Sequence, residues 1–515
     1  MERSLPPHDT RARHGKSLFR PFPQTLDGIY SVAHRRQRGA ISVMSAGALI
    51  VMIGCCGMAL EFSQIYNRRV ELYGVAKVTA IAAARSLDGT EKGIDNALEE
   101  AEKAVAALRY KYGNERFAWD DSAVTFADSP NSQTWVSASV AKSSPRNKYF
   151  VRVSTAGLGS QANAYTPVLL PVINSTFSSV DLAHVAVAGR TSIEVMPMAI
   201  CAMSTTPGSS RTNTGSSGTS VELVEYGFRR GISYDLMRLN PGGSSPENYV
   251  IDPYLGPGVV SASSHTAASL VRPFVCTGRM WVPGLLGGTI KVAKPFPLSE
   301  LYEQINSRFD QYNGAAADRC NPRGAPPDVN IKSFVFGPGI KWMKTVPAVQ
   351  SPPDSGETNV LRTMADLPEF PAGQTAEAYG PLWIFAKAVP FSAYTAGRSE
   401  PASGYSTFGT SNWSSLYKPS PVAGTYPGPS PYMATSGDTV ERPSIERRAY
   451  AQRGRRILNI PLLSCTTSPA GSGQGEVLAI GRFLMTVPAT AMTLHAEFGG
   501  IVPQERIVGT VELFK

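Results

Sequence analysis

The sequence predicts an α+β protein: an N-terminal transmembrane helix that continues as a helical stalk, followed by a β-dominated exported domain. Three observations carry this prediction. An uncharged apolar run fills 39–60, arginines stand directly before it, and beyond residue 113 the pattern changes from helical to alternating. At 515 residues, 42% hydrophobic and 17% charged, the chain is long enough to bury a substantial core beneath a weakly charged surface.

Residues 1–38 read as a basic cytoplasmic tail. They hold eight basic side chains (Arg3, Arg11, Arg13, Lys16, Arg20, Arg35, Arg36 and Arg38) against three acidic ones (Glu2, Asp9 and Asp27). Much of the net charge of +9 is therefore concentrated before the apolar run, where it orients a membrane segment. A nucleic-acid partner is not expected. Residues 39–61 form the transmembrane helix, since 39–60 alone spans roughly 33 Å as a helix. A buried core helix is the alternative that length and flanking arginines disfavour. A cleaved secretory signal has a shorter apolar region and an Ala-x-Ala end that is missing here. Met52-Ile53-Gly54-Cys55 fits a lipobox, but the apolar run passes Cys55 into the same helix.

Residues 62–115 read as the stalk. Phe62, Ile65, Tyr66, Arg69, Leu72 and Tyr73 fall at helical spacing, an alanine-rich run covers 79–85, and Asp88-Gly89 supplies a stop. A helix from 40 to 87 reaches roughly 70 Å. Thr90 is placed to cap a second helix, whose seam of Ile94, Leu98, Ala101, Val105 and Leu108 suits packing back on the first.

Arg35, Arg36 and Gly39, the apolar span, Glu61, then Tyr66, Arg69, Leu72 and Ala80 to Ala84 follow one another in an order that resembles the N-terminal region of TadE/TadG-like Flp (tight adherence) pilus-assembly proteins. The match covers about fifty residues. Weaker similarity to the TadG-like branch extends to 185–204, 231–241, 455–465 and 476–486. The resemblance implies a pilin-like stalk and a non-enzymatic assembly component of a pilus or related secretion apparatus. It further implies anchoring in the bacterial inner membrane, with the C-terminal domain periplasmic or incorporated into a surface pilus. Glu61, Phe62, Tyr66, Arg69, Leu72 and Tyr73 become helix-assembly candidates. Partners are then the inner membrane, other pilus-assembly or pilin-like proteins, and further copies of the chain. Two departures stand out. Prepilin signals place Glu five residues after the cleavage glycine, where this chain has Met44. The Asp-x-Ser-x-Ser metal site of some relatives is missing, its nearest counterpart being interrupted by Pro130.

The rest divides into a β-rich segment, 116–204, and a β-rich exported domain, 205–515. Runs 134–142 and 148–156 read as a hairpin around 143–147, and further strands are expected around 182–189, 192–203, 333–339, 456–463, 477–485, 493–499 and 506–514. One later helix is expected over 299–312, capped by Ser299 with Leu301, Ile305 and Phe309 on one face. Polar breaks fall at 205–220, 346–358 and 398–439. The last carries Tyr405, Phe408, Trp413, Tyr417, Tyr426 and Tyr432 among Ser, Pro and Gly. Such aromatics either recognise a surface, which would make the chain adhesin-like, or pack against their own domain. Cys201, Cys276, Cys320 and Cys465 are dispersed without a Cys-x-x-Cys pair, which suits two disulfides in an oxidising compartment; three pairings are open.

Chemical motifs are sparse. His-Glu-x-x-His, the phosphate-binding Gly-x-x-x-x-Gly-Lys-Ser/Thr, Gly-x-Ser-x-Gly and Gly-x-Gly-x-x-Gly are all missing, so no catalytic residue, metal ligand or cofactor is expected. Ser415 and Lys418 fit Ser-x-x-Lys within the polar loop, a short motif with a high chance rate. His184, His265 and His495 each stand alone. Asp120-Asp121, Glu99-Glu100 and the arginines at 447–456 read as solvated charges, the last alternatively as a surface for an anionic partner.

Overall fold

The computed structural model describes residues 38–514 except 111–114, 146–147, 217, 259–262, 283, 286–288, 336–378, 418–427, 466–472, 503–506 and 508. The tail 1–37, the break at 346–358 and Tyr426 therefore lie outside the described residues. Helix α1 (Arg38–Ser86) is continuous for 49 residues. It is the one described helix long and apolar enough to cross a membrane. Thr90 caps α2 (Glu91–Ala107), its Oγ1 accepting from the Gly93 N–H at 3.0 Å. The predicted seam of α2 packs back on α1, where Ala76, Ala80, Ala83 and Ala84 form a small-residue stripe. Short side chains there let the two helices and the sheet beneath approach closely.

That sheet is antiparallel. Strands β1 (Val124–Ala127), β2 (Phe150–Ser154) and β3 (Val185–Arg190) stand in the order β1-β2-β3, and the C-terminal strand Val511–Phe514 adds to the free edge of β3. The hairpin expected from 134–142 and 148–156 is not formed. Helix α3 (Ala138–Ser143) occupies the first run, and β2 pairs with β1 instead. Small Ser and Ala side chains give this run little strand preference. Ala141 then buries under α2 while Lys142 pairs with Asp95. Within the first run Val136 makes an isolated antiparallel bridge to Phe126 of β1, not to the second run.

Beyond α4 (Leu170–Ile173), which precedes β3, the chain passes into a second sheet. Its strands are β4 (Met198–Cys201), the hairpin β5 (Ser209–Gly215) and β6 (Gly218–Glu225) alongside it, β7 (Ser233–Asp235) and β8 (Asn248–Ile251). Helix α5 (Ala268–Thr277), β9 (Thr289–Ala293) and α6 (Leu298–Ile305) follow. The last strands are β10 (Ile457–Leu463), β11 (Gln474–Met485) and β12 (His495–Ile501). Long β11 pairs with β10 along one edge and with β9 and β12 along the other, and β9-β8-β4-β10 leads back to it. Five strands, β10, β11, β9, β8 and β4, therefore close into a ring and each has a neighbour on both sides, with register irregularities where β11 meets β10 and where β12 meets β11. One pair in it, β4–β10, is parallel.

Several expectations are corrected here. The polar run 205–220 is mostly hairpin, because alternating Ser and Thr suit a half-solvated ribbon. The sheets do not respect a division at 204/205: β4 belongs to the ring and Val511–Phe514 to the first sheet. Residues 333–335 are irregular, although Phe334 is buried. Ser299 lies inside α6, which follows Pro297 without a side-chain cap, and the helix tightens into a 3-10 turn at Asn306–Phe309. Helix α5 was not expected because Pro273 stands within it. The disulfides join Cys201 to Cys465, across the ends of β4 and β10, and Cys276 to Cys320.

The main core joins Met198, Ile200, Leu458, Ile460 and Phe483 of the second sheet to α5, α6 and the space around Trp383, Trp413 and Tyr417, while Ala199, Tyr249, Ile251, Val292 and Ile480 of the same sheet belong to a second core. The Trp383 indole N–H donates to the Tyr417 hydroxyl at 2.6 Å. Glu497 of β12 fixes this segment to the ring by accepting the N–H groups of Ile384, Phe385 and Ala386 at 2.7, 2.8 and 2.8 Å. Burial pushes its carboxyl up to about 8, against the opposing pull of those three donors.

Candidate functional site

The candidate site is the face that α1 presents beyond the apolar part that is long enough to cross a membrane. Past Glu61 the helix has two unlike sides. Arg68, Leu72, Val75, Ala76, Thr79 and Ala80 are buried against α2 and the first sheet. Phe62 (57% exposed), Tyr66 (67%) and Val70 recur every four residues on the outer side, with Arg69, Tyr73 and Val78 also exposed. A run of three large apolar groups at i, i+4 and i+8 forms a continuous stripe on one helix face.

The folded body sets where that stripe begins. The Glu61 carboxylate accepts the N–H groups of Val168, Leu169 and Leu170 at 2.5, 2.6 and 3.1 Å, which are the donors left over at the start of α4. One turn earlier, Leu169 lies over Gly57: a Cβ at that glycine would stand 2.2 Å from Leu169 Cδ1. The body therefore reaches α1 at Gly57, and the length free of it, from Gly39, is roughly 28 Å of helix. That is close to the thickness of a hydrocarbon core, about 30 Å. Exposed Val168 and Val172 stand beside the same junction.

Two assembly candidates are thereby corrected. Glu61 is 7% exposed and engaged within the chain, and Leu72 is buried in a core with Val105 and Tyr110, so neither faces a partner. The sequence periodicity marked Leu72 as apolar and helical without telling which face it occupies. Arg68, not singled out in the sequence, lies 3.8 Å over the Tyr110 ring and bonds the Ala162 carbonyl. Tyr73 is partly covered, stacked on His184 at 4.6 Å with the Lys77 ammonium 3.7 Å above its ring. Phe62, Tyr66 and Arg69 remain outward. Val70, on the same stripe, was missed; its spacing from Phe62 and Tyr66 was the available signal.

The aromatic loop candidates divide differently. Trp413, Tyr417 and Tyr432 are buried core, so packing against their own domain, the second reading, describes them. Tyr405 and Phe408 are half-buried, Tyr405 lying 5.2 Å from the Arg230 guanidinium. Ser415 is buried and bonded to Ser220 at 2.6 Å; Lys418 lies outside the described residues. The histidines have separate neighbours: His265 pairs with Asp252 at 3.0 Å, His184 meets Tyr73, and His495 sits on β12. Glu99 and Glu100 bind Lys103 at the surface, and Asp120 caps a turn. The group Cys201, Glu247 and Cys465 has metal-like spacing. Its two sulfurs are bonded to each other, and Glu247 accepts from Tyr249 and Lys294, so its donors are occupied.

Compared with known proteins, the chain matches no family model, no curated protein and no solved structure.

Proposed function

We propose that the chain is a non-enzymatic structural and assembly component of a Flp-type (Tad) pilus or related secretion apparatus. It is held in the bacterial inner membrane by α1, with the N-terminus cytoplasmic. The observation that carries this reading is the two-sided continuation of α1: one face is consumed by the protein's own core, and the other offers Phe62, Tyr66 and Val70 just above the span. Large apolar side chains left in a row beside a membrane junction are suited to helix-in-groove or helix-on-helix association. The sequence resemblance around 35–84 supplies the kind of partner, pilin-like helices. The arginines before residue 39 favour the orientation. The two disulfides suit an oxidising compartment for the body. A surface-binding role through 398–439 loses support because three of its aromatic anchors are core.

The test is the double substitution Phe62→Asp/Tyr66→Asp in the native cell. Because both side chains are exposed, the variant should insert and fold as before. Surface pili should fall by about tenfold or more, as expected when central apolar anchors are lost. Normal piliation with a correctly inserted variant would sink the assembly role.

A further inference from the structure

Between the end of α5, the segment after Cys320 and the run leading into β10 lies a cavity of about 390 Å³. Its wall carries five arginines (Arg279, Arg308, Arg323, Arg453 and Arg455) and one carboxylate, Glu194. That carboxylate is already taken, paired with Arg279 at 2.5 Å. The two inner cations are held only by neutral groups. Arg308, 1% exposed, donates from Nη1 to the Ile305 carbonyl at 3.3 Å and from Nη2 to the Val275 carbonyl and Met196 Sδ, both at 3.1 Å. Its Nε is buried without a partner. Arg455 donates to the carbonyls of Pro326, Thr277 and Cys276 at 3.0, 2.7 and 2.8 Å.

Both guanidinium groups converge over Gly278, the left-handed residue that ends α5 at φ 72°. A Cβ there would stand 2.9 Å from Arg308 Nη2 and 3.6 Å from Arg455 Nη1, so any side chain would fill the space where the two cations meet. Glycine keeps that space open, and the Cys276–Cys320 disulfide fixes the wall around it. Burial, then the neighbouring Arg455, holds the Arg308 guanidinium well below the usual arginine range. Burial also lowers Arg455, against the pull of Tyr312, Asp328 and Glu194.

A buried cation held only by neutral groups is costly, and an excess of one charge in an enclosed space concentrates the opposite ion. Guanidinium forks match the oxygens of phosphate in geometry as well as charge. The geometry points to this cavity as a binding site for a phosphate-type oxyanion, with Arg308 and Arg455 at its floor and the exposed Arg323 and Arg453 at its mouth. The site is separate from the α1 stripe and stands or falls independently of the assembly role.

The test uses the full chain in detergent, titrated calorimetrically with inorganic phosphate and with acetate as the control. Saturable one-to-one phosphate binding is expected. In Arg323→Ala/Arg453→Ala, which alters only exposed side chains, the affinity should drop by about tenfold or more, the loss of one or two charge-assisted contacts. Arg308→Met should abolish binding; because it touches the core, its folding is checked by retention of both disulfides, and the mouth variant carries the decision. Glycerol phosphate and dimethyl phosphate, used as competitors, identify the source. Competition by the monoester alone indicates a terminal phosphate, and equal competition by the diester indicates a polymer or lipid phosphodiester. A folded chain that binds no phosphate, or a mouth variant that binds it unchanged, overturns the site.

Discussion

Replacing Cys201 and Cys465 together by alanine is expected to lower the stability of the body by about 5.5 kcal/mol on the chain-entropy account of cross-links. The bond ties residues 264 apart in sequence, across which β5 to β10 and both helices of the ring are threaded. Losing it returns a large share of conformational freedom to the unfolded chain. Opening Cys276–Cys320, with a separation of 44, should cost less, about 4 kcal/mol on the same account. Thermal unfolding of the full chain in detergent, without reductant, checks both magnitude and order. Equal stability of the Cys201→Ala/Cys465→Ala variant and the parent would mean that the ring holds its ends together without the cross-link.

The second large effect is expected at Arg456, which stands at the start of β10 and is fully buried. Its guanidinium donates to the carbonyls of Met485, Asn330 and Lys332 at 2.6, 2.8 and 2.9 Å. The rings of Phe309, Phe334 and Tyr432 surround it at 4.3, 5.2 and 5.6 Å. Asp328 completes the hub by accepting the Arg456 backbone N–H at 3.0 Å and the Tyr432 hydroxyl at 2.6 Å. Burial lowers this arginine to about 10, and Asp328 is the first of the groups that oppose the shift. Arg456→Ala removes every one of those donors and leaves a cavity beside three aromatic rings. A loss of about 3–5 kcal/mol is expected. Arg456→Met keeps the packing volume and should recover part of it, though the carbonyls still lack donors. Denaturation midpoints of the two variants measure the split. An alanine variant as stable as the parent would show that the carbonyls find water and that the hub is not structural.

Arg456 also illustrates what the sequence conveyed and what it withheld. In the run 447–456 it looks like one more solvated cation, and nothing local distinguishes it from exposed Arg453. Its burial depends on Asp328, Phe309 and Met485, all distant in sequence. Arg308 was hidden in the same way, on the face of a helix whose apolar pattern drew attention to Leu301, Ile305 and Phe309. The long helix was readable because its signals are local: an uncharged run, preceding arginines, alanine-rich propensity and the Thr90 cap. The faces of that helix were not, since Leu72 and Tyr66 are both large and apolar and only the position of α2 decides between them. Strands β10, β11 and β12 stood out through dense Val, Ile, Leu and Phe. The closure of the ring and the return of Val511–Phe514 to the first sheet are long-range pairings without a local signature. The core positions of Trp413, Tyr417 and Tyr432 were hidden for a related reason: Ser, Pro and Gly around them signal irregular backbone, which is compatible with either a surface or a core position.

The measurement that bears most directly on the account is the intact mass of the protein purified from its native envelope, taken before and after reduction. The account predicts a chain that still carries α1, uncut after Gly39, and four hydrogens lighter than its reduced form because both disulfides are present. A chain beginning at Ala40 would contradict a permanent helical anchor and indicate release into a polymer. One beginning at a lipid-modified Cys55 would contradict the transmembrane role of α1. A full chain whose mass does not change on reduction would place the body on the wrong side of the membrane.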